Sequence, residues 1–268
     1  MQLGIIGTGN MAEAIVAGLL SKKVLSPQQI VGYDVNQARL KFISKKYGIR
    51  RASTPSEVVK KSNVLLLAVK PQQFSELLTT LKPLLTKQHV VLSIAAGIDT
   101  AIIQKKIGKQ KIIRLMPNTP ALVSEGATVF FANRYCTKTD KQMTKKLFGA
   151  VGLVLEVKQE NRLDAVTSLS GSGPAFTFKF IEALTSGGVK NGLSAEMALQ
   201  LAIQTVKGAA ILIQQTGETP KNLIAKVTSK GGTTESGLKV LHEKKFENII
   251  KSCLQAATRR SKQLRKVN

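Results

Sequence analysis

The sequence predicts an α/β fold: a doubly wound parallel sheet in the first part of the chain and an all-helical domain in the second. Three observations carry this. A short apolar run ends at Gly7 and opens, through a Gly-x-Gly-x-x-Ala turn, into an apolar pattern at helical spacing. Strand-length apolar runs then alternate with helical patterns as far as Glu156. After about Asn161 the strand-like runs stop and only helical patterns remain. Strands alternating with helices imply parallel pairing, because a parallel crossover needs room for a helix.

The elements follow in order. Strand candidates are 2–7, 30–33, 64–69, 89–94 and 112–115, with 127–131 and 153–156 extending the sheet. The first helix runs from the glycine turn through Leu20. Asn36 is placed to cap a helix over 37–47, which Gly48 ends. Thr54-Pro55-Ser56-Glu57 reads as a capping box with Pro at the first helical position. Asp99 caps 100–107, and a further helix is expected over 141–150. A short linker near 158–161 separates a domain over 1–160 from one over 161–268. The second domain reads as helices over 162–169, 174–190, 195–215, 221–227, 235–244 and 247–266. The 195–215 pattern is apolar nearly all round, so it must be covered on every side. A domain this small has difficulty doing that alone, which implies association between subunits.

The chain has 268 residues and 43% hydrophobic residues. No apolar run is long enough to span a bilayer, and the start lacks the pattern of a secretory signal. A cytoplasmic location without membrane attachment is expected. Cys136, Cys253, His89 and His242 are isolated, so neither a disulfide framework nor a metal site is expected. Net charge is +24, which favours anionic partners. The basic residues are scattered near predicted helix ends, and the few aromatics do not interleave with them as a nucleic-acid stacking surface requires. A solvated basic surface is the expectation, with no nucleic-acid partner.

The first turn reads Gly7-Thr8-Gly9-Asn10-Met11-Ala12. Gly7 permits the turn, Gly9 lets the backbone approach a pyrophosphate, and Ala12 allows close helix–strand packing. This is a Rossmann-type dinucleotide fingerprint in its required strand–turn–helix context. The second strand ends in Asp34, 25 residues after Gly9. An acidic residue there meets the adenosine ribose hydroxyls and favours NADH, unless it merely caps the next helix or lies in solvent. Arg39, one helical turn on, is the nearest arginine, so a 2′-phosphate finds little local compensation. Lys41 and Lys45 lie beyond it, and dispersed charge is screened past about 8 Å. Ala68-Val69-Lys70-Pro71, the small residues Ala95-Ala96-Gly97 and the Met116-Pro117-Asn118-Thr119-Pro120 loop each follow a strand at the carboxyl edge of the sheet, where open α/β proteins bind ligands.

Near the other end stands Thr228-Ser229-Lys230-Gly231-Gly232-Thr233-Thr234-Glu235. Small and hydroxyl residues here precede a helix, whose first N–H groups suit a carboxylate. An ordinary turn with Thr233 or Thr234 as N-cap fits the same letters.

With Ala68-Val-Lys-Pro-Gln, Met116-Pro-Asn-Thr-Pro, Leu169-Ser-Gly-Ser-Gly-Pro-Ala and the 228–234 segment, the chain resembles pyrroline-5-carboxylate reductases over essentially its whole length. The resemblance implies reduction of the cyclic imine 1-pyrroline-5-carboxylate with NADPH or NADH, in a homodimer that interlocks through the helical domain and builds larger rings. It implies that Thr234 acts at the ring nitrogen, while Ser229, Gly231, Gly232 and Thr233 hold the substrate carboxylate. It further implies a cofactor site at Gly7, Thr8, Gly9, Asn10 and Met11, the two sheet-edge segments, and Asn118. Lys230 departs from the usual proline. Two rival readings are weaker. In a β-hydroxyacid dehydrogenase the catalytic lysine would stand at Thr177, whereas Lys179 comes two positions late. A non-catalytic nucleotide-binding paralogue would not need the intact 229–234 loop.

Overall fold

A computed structural model describes residues 1–267. The chain packs as two compact units, one made of residues 1–172 with the stretch from Ala257 on, the other of Gly173–Ala256.

The first unit is built on one eight-stranded sheet with strand order β3-β2-β1-β4-β5-β6-β7-β8. Its strands are β1 (Leu3–Ile6), β2 (Ile30–Tyr33), β3 (Arg50–Arg51), β4 (Val64–Leu67), β5 (Val90–Ser93), β6 (Lys111–Met116), β7 (Gly126–Ala132) and β8 (Gly152–Glu156). Helices α1 (Asn10–Ser21), α2 (Gln37–Tyr47), α3 (Pro55–Lys60), α4 (Phe74–Leu81), α5 (Thr100–Ile107) and α6 (Lys138–Phe148) connect them. Side chains on successive strand positions go to opposite faces. Leu3, Ile5, Leu66, Leu92 and Ile113 accordingly join one buried cluster. Ile6, Leu65, Leu67, Val91 and Ile112 join the other. A sheet covered on both faces explains why its strands read as unbroken apolar runs.

The sheet is mostly parallel, not wholly so: β7 runs antiparallel to β6, with Met116 opposite Val129. The segment between them holds only a 3₁₀ turn, Thr119–Val123. That is too short for a crossover helix, so the chain turns straight back. β3 was not expected from the sequence. Its two arginines have no apolar alternation, and only backbone pairing with Val31 and Gly32 defines it.

Several caps match the reading. Asn36 Oδ1 accepts from the Arg39 N–H at 3.0 Å, and Asp99 Oδ1 from that of Ile102 at 2.9 Å. At α3, Thr54 Oγ1 accepts from the Glu57 N–H at 3.2 Å. The return bond reaches back one residue further than a capping box requires, from the Ser53 N–H to Glu57 at 2.7 Å. The expected linker is anchored in the first unit: Glu160 accepts from the Thr100 N–H and hydroxyl at 2.7 and 2.6 Å. It also pairs with the buried Arg114 at 3.3 Å. α7 (Arg162–Val166) runs into a π turn over Thr167–Gly171.

The second unit carries α8 (Gly173–Lys190), α9 (Ala195–Thr216), α10 (Pro220–Lys226), α11 (Thr233–Glu243) and the start of α12 (Phe246–Val267). Of α9 only Ala198 and Ala202 are buried. Leu201 and Ile203 are 53% and 47% exposed. α9 is also long and apolar enough, by length and composition alone, to cross a membrane. The reading that no such segment exists missed this because Gln200, Gln204 and Lys207 interrupt the apolar run without lowering its mean hydropathy enough.

Candidate active site

The strand order reverses at β1: β2 and β3 lie on one side, β4 and those after it on the other. The carboxyl ends of β1 and β4 therefore flank a crevice. Gly7 adopts φ +92, and its N–H donates to the Tyr33 carbonyl at 2.9 Å. A Cβ on Gly7 would lie 2.6 Å from the Ala68 carbonyl oxygen, so only glycine passes the end of β4. Gly9 precedes α1 in extended conformation, without a side-chain cap on the helix. A Cβ there would meet nothing within 4 Å. The first N–H groups of α1 thus have open space before them, and a pyrophosphate fits their charge and geometry.

The crevice measures about 730 Å³ and is lined by Gly7, Gly9, Asp34, Ala68, Val69 and Lys70, together with Tyr33, Val35, Asn36 and Arg39. Six expected cofactor contacts therefore share one cavity. Thr8 lies beneath it, nearly fully buried. Asn10 and Met11 open α1, and Pro71 opens the 3₁₀ turn after β4. Ala95, Ala96 and Gly97 follow β5 and are not among the lining residues. Asn118 follows β6 and is buried, its amide braced at both ends. The nitrogen donates to the Ser170 carbonyl at 3.0 Å, and the oxygen accepts from the Ala127 N–H at 2.8 Å.

Asp34 is tied to the glycine turn. Its Oδ2 accepts from the Thr8 N–H at 2.5 Å and the Thr8 hydroxyl at 2.9 Å. Its Oδ1 accepts from the Asn36 N–H at 2.8 Å and keeps capacity for a ribose hydroxyl. Arg39, which the sequence reading set one helical turn away with little compensation for a 2′-phosphate, lines the same crevice. Its Nε donates to the Thr8 carbonyl at 2.8 Å and its Nη2 to Glu13 at 2.5 Å. Glu13 also accepts from Lys46 at 2.9 Å and from Tyr47 at 3.0 Å. Partial burial raises the Glu13 carboxyl pKa, but hydrogen bonds from Lys46, Arg39 and Tyr47 outweigh it and hold the value at about 2. Residues this far apart in sequence leave no local signal, although an arginine in the first turn after an acidic strand end was a clue.

In the second unit, the 229–234 segment forms a tight turn ahead of α11. Gly231 adopts φ +74, and its N–H donates to Glu235 at 2.7 Å. The Gly232 N–H donates to the Ser229 carbonyl at 3.0 Å. Gly232 is the N-cap residue, with no side-chain hydrogen bond to the helix. Neither Thr233 nor Thr234 serves as the cap, because both are already helical. Among the described residues, the N–H groups of Thr233 and Thr234 have no protein acceptor. Glu235 is the residue the sequence reading missed here. It occupies one of the donors assigned to substrate.

Comparison with known proteins bears on both units. Residues 160–264 match the family model for pyrroline-5-carboxylate reductase dimerisation. Residues 2–97 match that for NADP oxidoreductase, coenzyme F420-dependent. A pyrroline-5-carboxylate reductase of Synechocystis is 45% identical over 99% of this chain and 99% of its own length. The structure of a pyrroline-5-carboxylate reductase from Coxiella burnetii superposes with a TM-score of 0.94 at 38% identity, covering 98% of each chain. The Plasmodium falciparum pyrroline carboxylate reductase, solved with NADP bound, gives a TM-score of 0.88 at 30% identity, covering 99% of this chain and 98% of its own.

Proposed function

The chain belongs to the pyrroline-5-carboxylate reductase family, and from that premise we propose how its own residues reduce 1-pyrroline-5-carboxylate to L-proline, the last step of proline biosynthesis. The reading rests on one observation above others: the intact 229–234 turn, whose helix start offers unpaired donors to a carboxylate. The Ser229 hydroxyl and the Thr233 N–H take the substrate carboxylate, and Gly232 keeps the turn closed beneath it. To use the Gly231 N–H as well, the substrate must displace Glu235. The Thr234 hydroxyl faces the ring nitrogen and orients the imine. The nicotinamide supplies the hydride when bound. Catalysis is then largely positioning, worth several kcal/mol when reacting atoms are held in contact geometry.

In the first unit, Gly7, Thr8, Gly9, Asn10 and Met11 carry the pyrophosphate. Ala68, Val69, Lys70 and Pro71 form the facing wall, and Ala95, Ala96 and Gly97 leave room for a planar ring. Asn118 shapes the next connection through its braced amide. Asp34 takes the adenosine ribose and tilts the choice to NADH. The family's dimerisation domain implies a homodimer, with the exposed apolar face of α9 as the contact and larger rings built from that dimer. Residues 161–268 act as the dimerisation and substrate domain, and 1–160 as the dinucleotide domain. A cytoplasmic location fits two free cysteines.

The test is NADH and NADPH oxidation with 1-pyrroline-5-carboxylate, followed by absorbance and by proline formation, in wild type and Asp34→Ser. Proline formation is expected, with NADH favoured and the preference weakened in Asp34→Ser. Tenfold preference for NADPH, unchanged in Asp34→Ser, contradicts the assignment of Asp34. No turnover from folded, oligomeric protein contradicts the mechanism.

A further inference from the structure

Among the described residues, Arg39 is the only arginine lining the cofactor crevice. Planar guanidinium groups are the preferred side-chain partners of phosphates. A free Arg39 beside Asp34 would offset that carboxylate and welcome a 2′-phosphate. Arg39 is not free. Its Nε is committed to the Thr8 carbonyl and its Nη2 to Glu13. Its guanidinium also lies over the Phe42 ring, 5.5 Å from the centroid. Glu13 in turn is held by Lys46 and Tyr47 from the far end of α2. Two helices thus lock one ion pair against the glycine turn. Lys46 is itself engaged on Glu13, and Lys70, the other cation of the crevice, belongs to the β4 side.

We propose that Glu13 is a positioning residue for cofactor choice: by holding and neutralising Arg39, it denies the 2′-phosphate of NADPH its cationic partner. The role rests on the reading that this crevice takes the adenosine end of the cofactor, and it adds to Asp34 a second determinant that lies outside the crevice. Glu13 acts through Arg39 and touches no cofactor. The carboxylate stays ionised throughout the neutral range, since its hydrogen bonds hold its pKa near 2, so the restraint is permanent and not a pH switch.

The experiment is equilibrium binding of NADPH and NADH, by ligand fluorescence, to the full-length wild type, Glu13→Gln, Arg39→Met and the double variant, without turnover. Glu13→Gln keeps the side-chain shape and an oxygen that accepts from Tyr47, but removes the charge. The expected result is a roughly tenfold fall in the NADPH dissociation constant, the lower range for one charge-assisted hydrogen bond, with NADH changed less than about twofold. The gain must vanish in the Arg39→Met background, because the two residues act as one unit. Parallel changes for both cofactors, an unchanged ratio, or a gain that persists without Arg39 overturn the proposal. If Glu13→Gln does not fold, Glu13→Ala in the same cycle gives the same readout. The response of the cofactor preference to Asp34→Ser bears only on Asp34. The change in ratio on removing Glu13 bears only on this inference.

Discussion

The two glycine turns of this chain look alike and are held differently. Each has a left-handed glycine, Gly7 or Gly231, followed by a glycine N-cap, Gly9 or Gly232, before a helix without a side-chain cap. Around the first turn the bonds are long-range: Gly7 to Tyr33, Thr8 to Asp34, Arg39 to Thr8. Around the second they reach no further than four residues, from Gly231 to Glu235, from Gly232 to Ser229 and from Ser236 to Gly232. The units differ in the same way. Nearly every buried apolar residue belongs to the sheet unit, while the helical unit contributes only Ala198 and Ala202. The sheet unit therefore imposes the shape of its turn through its own core. The helical unit leaves apolar surface exposed, and its turn is held by local bonds.

The largest break in that comparison is Gly7→Ala. The substitution meets both a left-handed backbone and a carbonyl at 2.6 Å. Strain and overpacking of about 1–3 kcal/mol each should lower Tm sharply and abolish cofactor binding. Gly231→Ala faces open space. It should cost only about 1–2 kcal/mol of backbone strain and raise KM for the imine, with cofactor affinity unchanged. Equal thermal losses would show that the two turns are held alike.

Leu201→Glu sharpens the comparison at the level of the units. Because Leu201 is half-exposed in the single chain, the chain should fold and the loss should appear in association. A carboxylate left unpaired in the contact should weaken the dimer by about 3 kcal/mol, more than a hundredfold in dissociation constant. Sedimentation showing an undisturbed dimer would remove α9 from the interface. A smaller effect is expected from Glu235→Gln. It retains an acceptor for the Gly231 N–H and removes a negative charge beside the substrate carboxylate, so KM for the imine should fall a few-fold, roughly 1 kcal/mol. A rise in KM would mean that the charge organises the turn.

A separate effect is expected in acid. Glu13 has a folded pKa of about 2 against an ordinary 4.5. Hydrogen bonding also holds Asp140 and Glu57 below their ordinary values, despite the burial that opposes it at both. Groups with depressed folded pKa values contribute stability above the unfolded value and lose it as pH falls through the folded one. Stability should therefore be flat near neutrality and decline from about pH 4.5 toward 2, and Glu13→Gln should flatten part of that decline in thermal melts.

Much of this was legible in the sequence because it is local. Strand runs, the Asn36 and Asp99 caps, the Gly7 turn and the helical character after residue 161 are each set by residues within one element. The rest depends on contacts that sequence spacing hides. The direction of β7 follows from a connection too short for a helix. β3 exists only by pairing. Arg39 reaches the crevice through Thr8, and Glu13 meets Arg39 across 26 residues. The 229–234 turn was recognised by its letters, but the use of Gly231 by Glu235 is a matter of one side chain's reach.

The central claim is that imine reduction takes place at the 229–234 turn, with Thr234 at the ring nitrogen. The most direct test is Thr234→Ala, with NADH and NADPH dissociation constants and kcat/KM for 1-pyrroline-5-carboxylate measured on the same preparation. The account predicts unchanged cofactor affinity and a kcat/KM lower by about 10- to 150-fold, the worth of one hydrogen bond of roughly 1.5–3 kcal/mol to a charged group. An unchanged kcat/KM, or a loss matched by weaker cofactor binding, would contradict it.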